Sequence, residues 1–124
     1  MTPLPAYSQL SRAGDSLTLA LELPREFAAI DGHFPGTPIL PAVMQVDWAI
    51  RIARDHFALP AHFHALRALK FLRIVQPPVT LTLELERLDD GRSVSFAYTH
   101  GSTACATGRI EFADDAAGPD RSLL

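Results

Sequence analysis

Residues 32–58 read GHFPGTPILPAVMQVDWAIRIARDHFA, and the fold turns on this run. Its first ten residues hold three prolines and two glycines, so the loop is stiff. Proline fixes φ and gives up an N–H, while glycine takes turns that other residues cannot make. Pro41 suits the first turn of a helix, where its missing N–H leaves nothing unpaired. From there to about Ala58 the residues Val43, Val46, Ile50, Ala53 and Phe57 recur at three and four, the period of an α-helix. The first half of that helix is apolar nearly all round: Ala42, Val43, Met44, Val46, Trp48, Ala49, Ile50. The second half turns polar, with Arg51, Arg54, Asp55 and His56. A helix apolar on all sides is usually buried. The expectation is a helix that enters the middle of the molecule and emerges near Pro60.

Outward from the helix, the chain reads as strand. Upstream, Leu17, Leu19, Leu21 and Leu23 alternate with Thr18, Ala20 and Glu22, the period of a strand with one buried face, and Pro24 ends it. Residues 25–31 fit a short helical turn anchored by Phe27 and Ile30. Downstream, residues 64–75 lack clean alternation, and Pro77-Pro78 breaks them off. Val79, Leu81, Leu83 and Leu85 alternate with polar neighbours, Asp89-Asp90-Gly91 signals a hairpin turn, and Val94, Phe96 and Tyr98 alternate again. A turn at Gly101-Ser102 leads into a last strand over 103–112. The division is an irregular segment 1–14, one domain over 15–113 and a frayed tail over 114–124. One long helix and a run of consecutive antiparallel strands give the α+β class. Every strand offers an apolar face and only one long helix can cover them, so the sheet has to curl around it. Such a domain leaves edges to satisfy, and self-association is expected.

Composition narrows the function classes. At 124 residues there is room for one core; 48% hydrophobic and 20% charged residues describe a globular chain. A formal charge of −3 argues against nucleic-acid binding. Cys105 is the single cysteine, which rules out an intrachain disulfide and a cysteine-rich zinc site, and it reads as a packed thiol. The first ten residues have no basic start followed by an apolar run, and no stretch approaches a membrane span. The default is a cytoplasmic enzyme that uses neither membrane nor nucleic acid.

Three groups around the loop and helix carry chemistry. His33 offers a nitrogen that titrates near neutrality, held between Gly32 and Phe34-Pro35-Gly36. Asp47 stands about two turns into the apolar half-helix, between Val46 and Trp48, where an apolar residue would serve a core better. The first-turn N–H groups of the helix, those of Ala42 and Val43, have no intrahelical partner and can polarise a carbonyl oxygen. Together they describe α-proton chemistry beside a thioester carbonyl. His33 removes the α-proton, the Ala42 or Val43 N–H holds the developing oxyanion, and Asp47 protonates or orients a β-hydroxyl as it leaves as water.

His-Phe-Pro-Gly-x-Pro-Ile-Leu-Pro-x-Val at 33–43, with a carboxylate fourteen residues after the histidine, resembles the FabA/FabZ-type 3-hydroxyacyl-acyl carrier protein dehydratases. Lys70-Phe71-Leu72-Arg73 before a proline-containing turn is similar to that family too, and the resemblance covers roughly residues 15 to 113. It implies a hot-dog fold, a sheet wrapped around a central helix. It also implies a homodimer with sites at the subunit interface, His33 from one chain and Asp47 from the other. No metal or organic cofactor is implied; the acyl chain would arrive on the phosphopantetheine of an acyl carrier protein and lie in a tunnel. Phe34, Pro35, Gly36 and Pro41 would shape the loop and tunnel. Two departures stand out: Asp47 where many members carry glutamate, and Ala42 where glycine is usual. The wording Pro-Ile-Leu-Pro-Ala-Val-Met-Gln-Val-Asp-Trp-Ala looks most like small dehydratases of aryl-polyene and related polyketide pathways.

Other residues weigh less. Trp48 is either a wall of the acyl tunnel or plain core. His62 and His64, two apart, lack a third convergent ligand, and no metal is expected. Arg51, Arg54, Arg67, Lys70 and Arg73 are either a docking patch for an acidic carrier protein or a solvated face. Two rival functions remain: an acyl thioesterase on the same fold, and a non-catalytic partner subunit of a hot-dog heterodimer.

Overall fold

The computed structural model describes residues 4–27 and 39–114. Six strands and one long helix follow in the order β1 (Ala6–Ala13), β2 (Ser16–Leu23), α1 (Ala42–His56), β3 (His62–Phe71), β4 (Val79–Arg87), β5 (Ser93–His100) and β6 (Thr103–Ala113), with a 3-10 turn at Arg25–Phe27 between β2 and α1. The strands form a single sheet in the order β1-β2-β4-β5-β6-β3, with every neighbouring pair antiparallel. This is the α+β arrangement expected from the sequence.

The alternating leucines set the register. Leu19 faces Leu83, Leu83 faces Tyr98 and Tyr98 faces Ala106, so one apolar row crosses four strands. A second row runs Leu17, Leu85, Phe96 and Gly108. A Cβ at Gly108 would stand 2.7 Å from the Phe96 ring, which explains a glycine in mid-strand. Against these rows α1 lays a single stripe: Gln45, Trp48, Ala49, Ile52 and Ala53 are its buried residues. Their spacing of three, one, three and one is that of one helix face. Each large side chain so buried contributes roughly 1.5–3 kcal/mol of transfer free energy.

Three expectations need correction. Within the segment 1–14, expected to be irregular, Ala6–Ala13 forms β1 and pairs with β2. Its residues are nearly all exposed, so no apolar period marks it; the backbone ladder makes the strand, with Tyr7 and Arg12 reaching His56 and Phe57. The strands are not simply consecutive either, since β3 crosses to the far edge and pairs with β6. Two register shifts there, one beside Ala68 at φ +52°, account for the missing alternation. Finally, the first half of α1 is not buried all round: Ala42 and Val43 are exposed, and Met44, Val46, Asp47 and Ile50 are half-buried. One helix has one stripe against the sheet, and among the described residues none seals the opposite face.

Candidate active site

Helix α1 begins at Ala42, directly after Pro41, whose extended backbone (φ −61°, ψ 141°) places it just outside the helix. Among the described residues no side chain caps this end. Ala42 and Val43 are exposed, and their N–H groups, as first-turn groups, have no intrahelical partner and the helix dipole behind them. Val43 is 74% exposed. Asp47, one turn on along the same face, is 46% exposed. The buried lone carboxylate expected from the sequence is thus a half-exposed one in the single chain. It is also partnered, since Arg51 Nη1 donates to Asp47 Oδ2 at 3.2 Å across one helical turn.

The structure brings Pro41, Ala42, Val43 and Asp47 together at one end of the helix. His33, Phe34, Pro35 and Gly36 lie outside the described residues. Trp48 is fully buried and packs edge-on against Phe27, ring centroids 5.3 Å apart, so it is core in the single chain. Its indole Nε1 has no hydrogen-bond partner among the described residues.

Sequence reasoning missed two residues here. Tyr98, buried on β5, donates its hydroxyl to the Gln45 carbonyl at 2.7 Å and so ties the helix to the sheet. Burial, helped by the Asp47 charge, pushes this phenol far above its ordinary value. Gln45 itself is 3% exposed, and its side-chain Oε1 has no partner among the described residues. The only sequence signal was a long polar side chain at a core position of the helical period, one turn after Pro41.

Beside this helix end the chain leaves β3 at Phe71 and folds inward. Leu72 and Arg73 both donate their backbone N–H to the Cys105 carbonyl, at 2.8 and 3.2 Å, and Leu40 N–H donates to the Val75 carbonyl at 2.8 Å. A cleft of about 290 Å³ lies between this segment and the helix start, lined by Pro41, Ala42, Gln45, Phe71, Arg73 and Val75 among others. Cys105, as expected, is a packed thiol, and burial raises its pKa. Of the basic residues, Arg67 pairs with Glu111 at 3.1 Å, and Arg54 donates to the Ala61 carbonyl at 2.7 Å and lies over the Phe112 ring. Lys70 and Arg73 are exposed. Among the described residues no three histidine, cysteine or acidic side chains converge as a metal site, and no helix is long and apolar enough to cross a membrane.

A family model described as ApeI dehydratase matches residues 9–109 of the chain. The chain belongs to the ApeI-like dehydratase family. Among solved structures it is similar to the dehydratase heterocomplex ApeI:P from Xenorhabdus doucetiae, with 27% identity and a TM-score of 0.76 over 86% of this chain and 96% of that one. The fold is accordingly the hot-dog fold. Mouse thioesterase superfamily member 2 shares it at a TM-score of 0.69 and 13% identity, covering 88% of this chain and 82% of that one, a likeness of fold alone. Among curated proteins, the 3-hydroxyacyl-[acyl-carrier-protein] dehydratase FabZ of Oenococcus oeni is 37% identical over 86 residues. That match takes in 60% of this chain and spans 62% of the relative's length.

Proposed function

We propose that this ApeI-like chain is a hydro-lyase that removes water from a 3-hydroxyacyl thioester and leaves a trans-2-enoyl thioester. The observation that carries this reading is the start of α1, where uncapped amides at Ala42 and Val43 share an exposed face with Asp47. The thioester carbonyl accepts from those amides, which favours the enolate-like oxygen over the neutral one. His33, eight residues before the helix ends its proline-bound approach at Pro41, takes the α-proton as a neutral imidazole. Asp47 orients or protonates the 3-hydroxyl, and the C–O bond breaks as water forms. Chemistry of this kind needs no metal or organic cofactor.

The substrate is carried on the phosphopantetheine arm of an acyl carrier protein, in a fatty-acid or aryl-polyene/polyketide type of pathway, and the enzyme works in the cytoplasm. The active form is a dimer joined through the exposed Val43–Asp47 face and the β3 edge, so that the histidine and the carboxylate of one site come from different chains. Phe63, Leu69, Phe71, Leu72 and Ile74 are exposed along that edge and its continuation, more apolar surface than an isolated edge strand tolerates. Homodimer is the first expectation. The heterocomplex recorded for the Xenorhabdus relative makes a second hot-dog chain the specific alternative.

Incubation with a 3-hydroxyacyl thioester, alone and with candidate partner chains, tests the reaction. Enoyl absorbance with the thioester intact is the expected result. Release of free thiol would make the chain a thioesterase, and no turnover in any assembly would make it a non-catalytic subunit.

A further inference from the structure

The residues that alternate with the buried rows of the sheet face away from α1, and they divide into columns of charge. In one row Glu84 of β4 faces Ala97 of β5, Ala97 faces Thr107 of β6, and Thr107 faces Lys70 of β3. In the next row Glu86 faces Ser95, Ser95 faces Arg109, and Arg109 faces Arg67. An acidic column thus runs along β4 and a basic one along β6 and β3, with small residues between. These residues lie in a trough of about 490 Å³, with Glu84 and Glu86 on one side and Lys70 and Arg109 on the other. Strands stand about 4.8 Å apart, so about 10 Å separates Glu86 from Arg109 and about 14 Å separates Glu84 from Lys70. Neither gap is bridged. Among the described residues Glu84, Glu86 and Lys70 have no ion-pair partner, while Arg67 and Arg109 share the one carboxylate of Glu111, at 3.1 and 3.3 Å.

Pairing within one chain would need the opposite charges on adjacent strands. Held apart, they suit an occupant that carries both signs at the same spacing. A wholly acidic partner would meet Glu84 and Glu86, and a wholly basic one Lys70 and Arg109. A second copy of this chain carries the matching pattern. Two copies that meet through this face are related by a two-fold axis lying between their sheets. An axis across the strands would set β4 on β4, acid against acid. An axis along the strands exchanges left and right, so the basic column of each copy falls on the acidic column of the other. It also keeps each row at its own height. With the axis between β5 and β6, Lys70 stands over Glu84 of the second copy, and Arg109 lies in the trough over Ser95, beside Glu86. The small residues there leave room for the long side chain. We propose that the outer sheet face is a self-association surface, joined by Lys70–Glu84 and Arg109–Glu86 pairs across a two-fold axis along the strands. It is a different face from that of Val43 and Asp47, and it does not rest on the dehydratase reading.

Exposed ion pairs make a weak contact that salt screens. Sedimentation of the native protein at roughly 100 μM should therefore show a mass that halves as salt rises from about 50 to about 500 mM. Lys70→Glu and Glu84→Lys should each weaken this salt-sensitive step by about tenfold or more, since each sets like charges together twice. The double variant, which restores opposite charges at the same pair, should recover it; melting curves check each fold. Val43→Asp, aimed at the other interface, should leave the salt-sensitive step in place. A native mass that is the same at both salt concentrations overturns the proposal, whatever the variants do. So does a folded single reversal that keeps the step, a folded double variant that fails to recover it, or its loss in Val43→Asp.

Discussion

The C-terminal half of α1 turns Ile52 and Ala53 into the sheet, below a fully buried Trp48, and every one of these is sealed. Its N-terminal end leaves Val43 74% exposed, with Ile74 at 66% on the neighbouring segment. In sequence the sealed end is the more polar of the two, with Arg51, Arg54, Asp55 and His56, and the open end the more apolar. The first is complete within one chain, and the second carries the uncapped amides and the carboxylate on surface that a second chain would cover. Stability thus sits at one end of the helix, and the proposed chemistry at the other.

Substitutions should separate the two ends. The largest effect belongs to the open end: His33→Ala and Asp47→Ala should each reduce dehydration by roughly a thousandfold or more while the melting temperature holds. Retained activity in either variant would remove the mechanism. At the sealed end, Trp48→Ala should cost about 3–5 kcal/mol in denaturant unfolding by opening a cavity among rigid neighbours. Val43→Asp should leave the single chain folded but weaken association by about a hundredfold, read as mass against concentration, because the interface would have to desolvate a charge.

Alkaline unfolding probes the tie between the helix and the sheet. Burial raises the Tyr98 phenol above its unfolded value, so its contribution is fully present below about pH 10 and is lost as pH rises further. Stability should fall by about 1.4 kcal/mol per pH unit beyond that point, and Tyr98→Phe should flatten this slope in denaturant titrations. The smallest effect is at the β3 edge. Ala68 holds a positive φ of 52° that glycine adopts without strain, so Ala68→Gly should raise stability by roughly 0.5 kcal/mol. A loss of stability there would mean that the alanine methyl packs against something worth more than the backbone strain.

Much of the fold was legible because local patterns are dictated by a shared face. The alternating leucines of β2 and β4 gave strands with one buried side, and both elements formed where the period placed them. Asp90 marked its hairpin correctly: its carboxylate accepts from the Arg92 and Ser93 N–H groups, both at 2.9 Å, and Gly91 takes a φ of +71°. β1 was not legible, because a polar edge strand is made by backbone pairing that leaves no mark in side-chain period. Of the candidate site, the helix start, Ala42, Val43 and Asp47 could be read from the proline and the carboxylate out of place. Gln45 could not, since a glutamine on a helix is ordinary until its burial is known.

By itself, then, the sequence determined most of the element types, the start of the helix just after a proline and the residue types proposed for an acid–base site. Each of these follows from torsional restriction and periodicity, which act over a few residues. Only the tertiary structure decided that β3 lies at the far edge and that, among the described residues, one end of the helix stays uncovered with an amide oxygen buried unpaired beside it. Periodicity records which residues share a face; what covers that face depends on chain packing tens of residues away.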